Sequence, residues 1–133
     1  MVYALDTNVL VDILRGNNKV KQKLSETHVS NRITIPPYSY YEILRGVMDR
    51  NASRQLSDFR ILQKILYKPD IDENDVMEKA AEIYIQRKKS GLSIDDDVDI
   101  LLAAWCITAD ATLVTSNTKH FTDIYGLNLE NWH

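Results

Sequence analysis

Hydrophobic and polar residues follow one another along the chain in blocks that predict strands and helices in turn. Residues 2–5 are apolar on both sides, as buried parallel strands are. After Asp6, apolar residues recur at helical spacing until Gly16 ends the pattern. Similar blocks predict helices over 18–28, 37–49, 53–66, 73–89 and 100–107, and strands over 33–35 and 111–115 and after 125–127.

This order of elements predicts the fold class. Strands that alternate with helices favour a parallel sheet with helices on both of its faces. The block 100–107 is apolar almost all round, which predicts a central buried helix. The predicted core stripe of the 37–49 helix consists of Tyr38, Tyr41, Leu44, Val47 and Met48.

Composition narrows the possible functions. The 133 residues fit one domain spanning 1–133, with a net charge of −3. A protein that held nucleic acid by bulk charge alone would be basic, so any such contact depends on local patches or bound cations.

Cys106 cannot form an internal disulfide and lies in an apolar run, which predicts a core residue in a reducing cytoplasm. No apolar run reaches the roughly 20 residues of a membrane span, and the first residues have no basic region typical of a signal peptide.

Acidic residues cluster at two predicted element ends. Asp6 directly follows the first strand, where the sites of open α/β sheets form, although helix capping alone also accounts for it. The segment Asp95–Asp99 places four acids just before the buried helix, more than a cap requires. Crowded like charges are unfavourable unless a cation neutralises them. A solvated acidic turn is the alternative.

Glu42 lies in the middle of the 37–49 helix. Ser39 and Gly46 share its face, and a glycine there leaves open space beside the carboxylate. The simpler alternative is a solvated Glu42 that pairs with Arg45.

Carboxylates from three separate segments together predict a metal site at one edge of the sheet. Hard oxygen ligands of this kind select Mg²⁺ or Mn²⁺ over zinc. The three histidines, His28, His120 and His133, have no zinc-site spacing. A bound divalent cation acidifies a water and lets an acidic protein hold a phosphodiester. Asn117, which follows the 111–115 strand, either orients a bound water or simply forms a turn.

Four segments resemble, in order, the motifs of PIN-domain ribonucleases of the VapC toxin type. The likeness extends over nearly the whole chain. The segments are Leu5–Gly16, Tyr40–Gly46, Asp99–Ala104 and Leu113–Asn117, the last followed by His120-Phe121 and Gly126-Leu127.

The resemblance implies a three-layer α/β/α fold with a central parallel sheet. It also implies a metal-dependent endoribonuclease that cleaves RNA as the toxin of a VapBC-like pair, binds a cognate VapB-like antitoxin and forms a homodimer. By position, Asp6, Glu42 and Asp99 become the acidic metal ligands. Asp97 matches a position that is often acidic, and Asn117 stands at the fourth acidic position.

Two other functions stay open. The first is a PIN scaffold that binds RNA or a partner protein with little catalysis, which Asn117 favours. The second is a phosphatase with Asp6 as its nucleophile, although Asn8 stands where that chemistry usually has a second acid. Phosphate contacts in the nuclease are expected from basic residues near the motifs. The candidates are Arg15, Arg45, Lys119 and Arg87–Lys89.

Overall fold

The computed structural model describes residues 1–133, in which strands and helices alternate along most of the chain. Short 3-10 helices at Gln63–Ile65 and Thr118–His120 complete the fold. The main elements are β1 (Val2–Leu5), α1 (Thr7–Leu14), α2 (Asn18–His28), β2 (Arg32–Thr34), α3 (Pro37–Asp49), α4 (Ser53–Leu62), α5 (Glu73–Lys89), α6 (Asp97–Thr108), β3 (Ala111–Val114) and β4 (Leu129–Glu130).

The four strands form one parallel sheet in the order β2-β1-β3-β4. In the central pair, Leu5 is in register with Val114. The next residues, Asp6 and Thr115, therefore leave the sheet side by side at its carboxyl edge. The Asp6 amide donates to the Val114 carbonyl oxygen at 3.0 Å, which continues the pairing to that edge.

Alternating side chains of the central strands enter two separate cores. Ala4 and Leu113 belong to the core beneath α5 and α6. Leu5 and Val114 face the other way, into the core covered by α1 to α4. Burial on both faces explains why these strands are apolar throughout. The predicted three-layer α/β/α fold with a parallel sheet is confirmed.

Helix α6 is the buried helix that its apolar sequence predicted. Its residues 102–106 are all buried, and Cys106 is fully enclosed. That burial raises the pKa of the Cys106 thiol far above its usual range, so the thiol stays neutral in the core. None of the helices combines the length and the apolar character that crossing a membrane requires.

The core stripe predicted for α3 is wrong at two positions. The buried side chains of this helix are Ser39, Ile43 and Val47, spaced four residues apart. Tyr41 is 62% exposed and Met48 is 55% exposed. The periodicity predicts the helix, but the buried face of α3 is the one that carries Ser39.

Candidate active site

A cleft of about 790 Å³ opens at the carboxyl edge of the sheet. The start of α1, the helix α3, the start of α6 and the loop after β3 enclose it. Its acidic lining consists of Asp6, Glu42, Asp96 and Asp99, and Asn117 adds an amide. Carboxylates from three distant segments thus line one cavity.

Asp6 serves two purposes at the start of α1. Its Oδ1 accepts a hydrogen bond from the Thr7 amide at 2.7 Å and thereby caps the helix. Its Oδ2 accepts from the Thr115 hydroxyl at 2.9 Å and from the Asn8 side-chain amide at 3.2 Å. Capping needs only the first of these contacts. The other two hold the carboxylate in one orientation at the cleft.

Asn8 and Thr115 form the link between α1 and the end of β3. The Asn8 amide also reaches the Thr115 hydroxyl at 3.3 Å, and its oxygen accepts from the Ser116 amide at 3.0 Å. The Thr115 hydroxyl in turn accepts from the Asn117 amide at 3.1 Å. Sequence reasoning missed this supporting role of Asn8 and Thr115. The available signal was that Thr115 directly follows one strand and Asn8 comes three residues after another, and that these two strands pair in a parallel sheet.

Glu42 reaches the cleft from the middle of α3. It forms no ion pair, so the expected alternative of a Glu42–Arg45 pair is not observed. Arg45 instead lies over the ring of Tyr41, with its guanidinium carbon 5.2 Å from the ring centroid. The space beside Gly46 is filled by Arg50, whose guanidinium would lie 3.1 Å from a Cβ at Gly46. The expectation that Gly46 opens room beside Glu42 is therefore wrong.

The acids at the start of α6 take different positions relative to the cleft. Asp96 is the N-cap, and its Oδ1 accepts from the Asp99 amide at 3.1 Å. Asp96 and Asp99 line the cleft, whereas the exposed Asp97 does not. Burial, followed by the charges of Asp96 and Asp6, raises the pKa of Asp99 above its ordinary value. A cation at this point would relieve that repulsion.

A histidine missed by the sequence analysis lies beside Asp99. This residue is His120, and its Nδ1 is 3.4 Å from Asp99 Oδ2. The backbone carbonyl of His120 accepts from Arg87 at 2.6 Å, and Arg87 also makes hydrogen bonds of 2.9 and 3.1 Å to the carboxylate of Asp123. Helix α5 therefore anchors the loop that carries His120. The signal for His120 was its place three residues after Asn117.

The donor set of the cleft fits a hard divalent cation. As the side chains stand, no three acidic, histidine or cysteine groups are close enough together to hold an ion. The lining nevertheless supplies carboxylate and amide oxygens and no sulfur. Thr7 and Ser39 are also among the lining residues, although their hydroxyl oxygens are themselves buried and have no hydrogen-bond partner. The fit to a hard cation therefore rests on the carboxylate and amide oxygens.

Comparisons with known proteins show the family of the chain. The model of the PIN-domain family matches residues 3–127. The ribonuclease VapC19 of Mycobacterium tuberculosis is 30% identical over 118 residues, which are 88% of this chain and 90% of that protein. The chain belongs to the PIN-domain family, in its VapC-type group, and the predicted membership is confirmed.

Solved structures extend the likeness to three dimensions. A chain in the crystal structure of VapBC2 from Rickettsia felis, bound to a promoter DNA fragment, is 29% identical with a TM-score of 0.87 over 100% of both chains. A chain in a toxin–antitoxin complex from Klebsiella pneumoniae has a TM-score of 0.69 and 23% identity over 94% of both chains. The second likeness concerns the fold alone.

Proposed function

We propose that this chain is a metal-dependent endoribonuclease that cleaves RNA phosphodiester bonds and acts as the toxin of a VapBC-like pair. The observation that carries the proposal is the shared cleft of Asp6, Glu42 and Asp99, which come from three distant segments. Its oxygen donors suit Mg²⁺ or Mn²⁺. Relatives named as ribonucleases support the same reaction class.

The proposed partner is a VapB-like antitoxin. Chains that resemble this one were solved within VapBC complexes, which supports such a partner here. We further propose that the chain forms a homodimer. We also propose that it acts in the cytoplasm, because a toxin of this kind acts where cellular RNA is found. Since the cleft is open to solvent, an antitoxin segment has direct access to the carboxylates.

Asp6, Glu42 and Asp99 are the residues that would hold the metal. When bound, the ion supplies an acidified water and positive charge that compensates the phosphate. Asn8 and Thr115 fix the orientation of the Asp6 carboxylate through their hydrogen bonds to its Oδ2. His120 is in contact with the Asp99 carboxylate. Any role of Asp97 and Asn117 in catalysis remains a prediction, and Asp96 is an added candidate because it lines the cleft.

The decisive experiment replaces the carboxylate of Asp6 without removing its cap. Asparagine caps helices as well as aspartate does, so Asp6→Asn should fold. We expect wild-type protein, purified free of antitoxin, to cut total RNA with Mn²⁺ and to stop in excess chelator. We expect cleavage by the variant to fall by at least about 100-fold. The metal loses a carboxylate ligand, so its positive charge no longer compensates the charge of the reacting phosphate.

A second readout tests the metal without RNA. Added Mn²⁺ should raise the Tm of the wild-type protein and have a smaller effect on Asp6→Asn, since binding to the native state alone stabilises it. Asp58→Asn is the matched control, because Asp58 is an exposed acid on α4 outside the cleft. RNA binding without cleavage under Mn²⁺ would favour the scaffold function, and full cleavage in chelator would reject the metal site.

A further inference from the structure

Tyr41 is exposed at a place where an exposed aromatic ring is unexpected. It is 62% exposed, although an apolar surface of this size is favourable to bury. It lines the same cleft as Glu42, its neighbour in sequence. Arg45, one turn later, also lines the cleft and lies over the ring. The pair is thus a preformed aromatic and cationic surface at the entrance of the acidic site.

The charge of the cleft indicates what such a surface could bind. Asp6, Glu42, Asp96 and Asp99 line it, and Arg45 is its only cationic side chain. The whole chain carries a net charge of −3. Coulomb attraction to a polyanion is therefore weak, and a strand of RNA needs an attraction that does not depend on charge. Stacking of bases on aromatic rings is such an attraction.

We propose that Tyr41 is a stacking platform for an unpaired base of the RNA and that Arg45 contacts a phosphate of the same strand. This inference rests on the proposed ribonuclease function and names the two side chains that would bind an unpaired nucleotide of the substrate. A base in a duplex keeps its faces covered by its neighbours and cannot stack on a side chain. The cleft volume of about 790 Å³ lies within the range of small-ligand pockets, so it has room for an extruded nucleotide.

The test measures binding by the inactive Asp6→Asn protein, so that RNA is not consumed. The probes are fluorescein-labelled oligoadenylate, oligouridylate and their duplex, in buffer with Mg²⁺. We expect the protein to bind oligoadenylate more tightly than oligouridylate, because purines stack more strongly, and to bind the duplex least. Adding Tyr41→Ala should weaken oligoadenylate binding about tenfold and remove the preference for adenine.

Three further variants separate the role of the Tyr41 ring from that of its surroundings. Tyr41→Phe keeps the ring and should restore most of the affinity and the adenine preference. Tyr125→Ala is the matched control, because Tyr125 is 95% exposed and lies outside the cleft. Arg45→Ala should keep the adenine preference but make the slope of log K against log[salt] shallower by about 0.7, the loss of one phosphate contact to a single strand.

Several results would overturn the platform. These are unchanged oligoadenylate affinity in the Tyr41→Ala protein, equal losses in the Tyr125→Ala protein, preference for the duplex, or no binding of any probe. If Tyr41→Ala binds RNA normally and loses affinity for the antitoxin, Tyr41 is a protein contact and the platform is rejected. Failure of the proposed function is distinct, because it appears as absent Mn²⁺-dependent cleavage in wild-type protein carrying an intact Tyr41.

Discussion

The carboxylate of Asp6 is held from two sides by residues of different elements. The Thr7 amide at the start of α1 donates to Asp6 Oδ1. The Thr115 hydroxyl, at the end of β3, donates to Asp6 Oδ2. Thr115 is fully buried, and its hydroxyl connects Asp6 Oδ2 to the backbone N–H of Asn117. A single hydroxyl therefore connects the two strand ends that form the base of the cleft.

Removing this hydroxyl should impair catalysis more than folding. Thr115→Val leaves Asp6 Oδ2 and the Asn117 amide each short of a partner, at an expected stability cost of about 1–3 kcal/mol. We expect Mn²⁺-dependent cleavage to fall by about 10–100-fold, as for other residues that orient a metal ligand. The measurements are urea unfolding and the Mn²⁺ dependence of the cleavage rate.

Two control variants define that result. Thr115→Ser keeps the hydroxyl and should retain much of the activity. Thr112→Val removes a hydroxyl from β3, where Thr112 is also buried but makes no hydrogen bond to Asp6. Wild-type cleavage by Thr115→Val, or an equal loss in Thr112→Val, would show that the Asp6 orientation does not depend on Thr115.

At the scale of elements, the pairing of Arg87 with Asp123 joins α5 to the segment that follows His120. The side chain of Arg87 is 9% exposed and that of Asp123 is 28% exposed. The Arg87 guanidinium donates two hydrogen bonds to this carboxylate and a third to the His120 carbonyl oxygen. The planar guanidinium holds its N–H donors in fixed directions, so an arginine binds this carboxylate and carbonyl better than a lysine would.

We expect Arg87→Ala to destabilise the protein by about 3 kcal/mol or more, since it leaves Asp123 without its partner in a partly buried place. Lys79→Ala is the control on the same helix, because Lys79 pairs with Glu82 at 3.0 Å in an exposed i,i+3 contact. That control should cost less than about 0.5 kcal/mol. Urea unfolding compares the two, and equal costs would contradict the structural role of Arg87.

The elements themselves were predictable because their signals are local. Residues 2–5 and 73–89 match β1 and α5 in full, and Gly16 ends α1 in the left-handed backbone conformation, with a φ of 85°. Other boundaries moved slightly. The strand predicted over 33–35 is β2 at Arg32–Thr34, and the helix predicted over 53–66 becomes α4 and a 3-10 turn.

What the sequence left open depends on the tertiary arrangement. Periodicity identifies an apolar stripe in α3, but it cannot choose between adjacent faces, so Tyr41 was assigned to the core. Sequence alone does not show which of the neighbouring Asp96 and Asp97 lies in the cleft, whereas in the folded chain Asp96 caps α6 and lines it. The contacts of Thr115 and His120 depend on strand register and on Arg87, and no local pattern encodes either.

At the scale of the whole molecule, the site and the surface carry the same sign of charge. The chain has 16 basic and 19 acidic residues, and its cleft is lined by acids. A nuclease built this way gains little from long-range attraction to RNA. In the proposed metal-dependent nuclease, selectivity would therefore come from the cation and from short-range contacts in the cleft.

The salt dependence of RNA binding follows from this charge distribution. With Mg²⁺ held constant, we expect oligoadenylate binding by Asp6→Asn protein to fall with potassium chloride at a slope of log K against log[salt] no steeper than about −1.5, equivalent to one or two phosphate contacts. A protein that binds RNA along a basic groove releases many more counterions and has a far steeper slope. Fluorescence anisotropy across a range of salt concentrations measures the slope directly. A value near −5 would mean that basic residues outside the cleft hold the RNA, and the acidic cleft would then be only a small part of the binding surface.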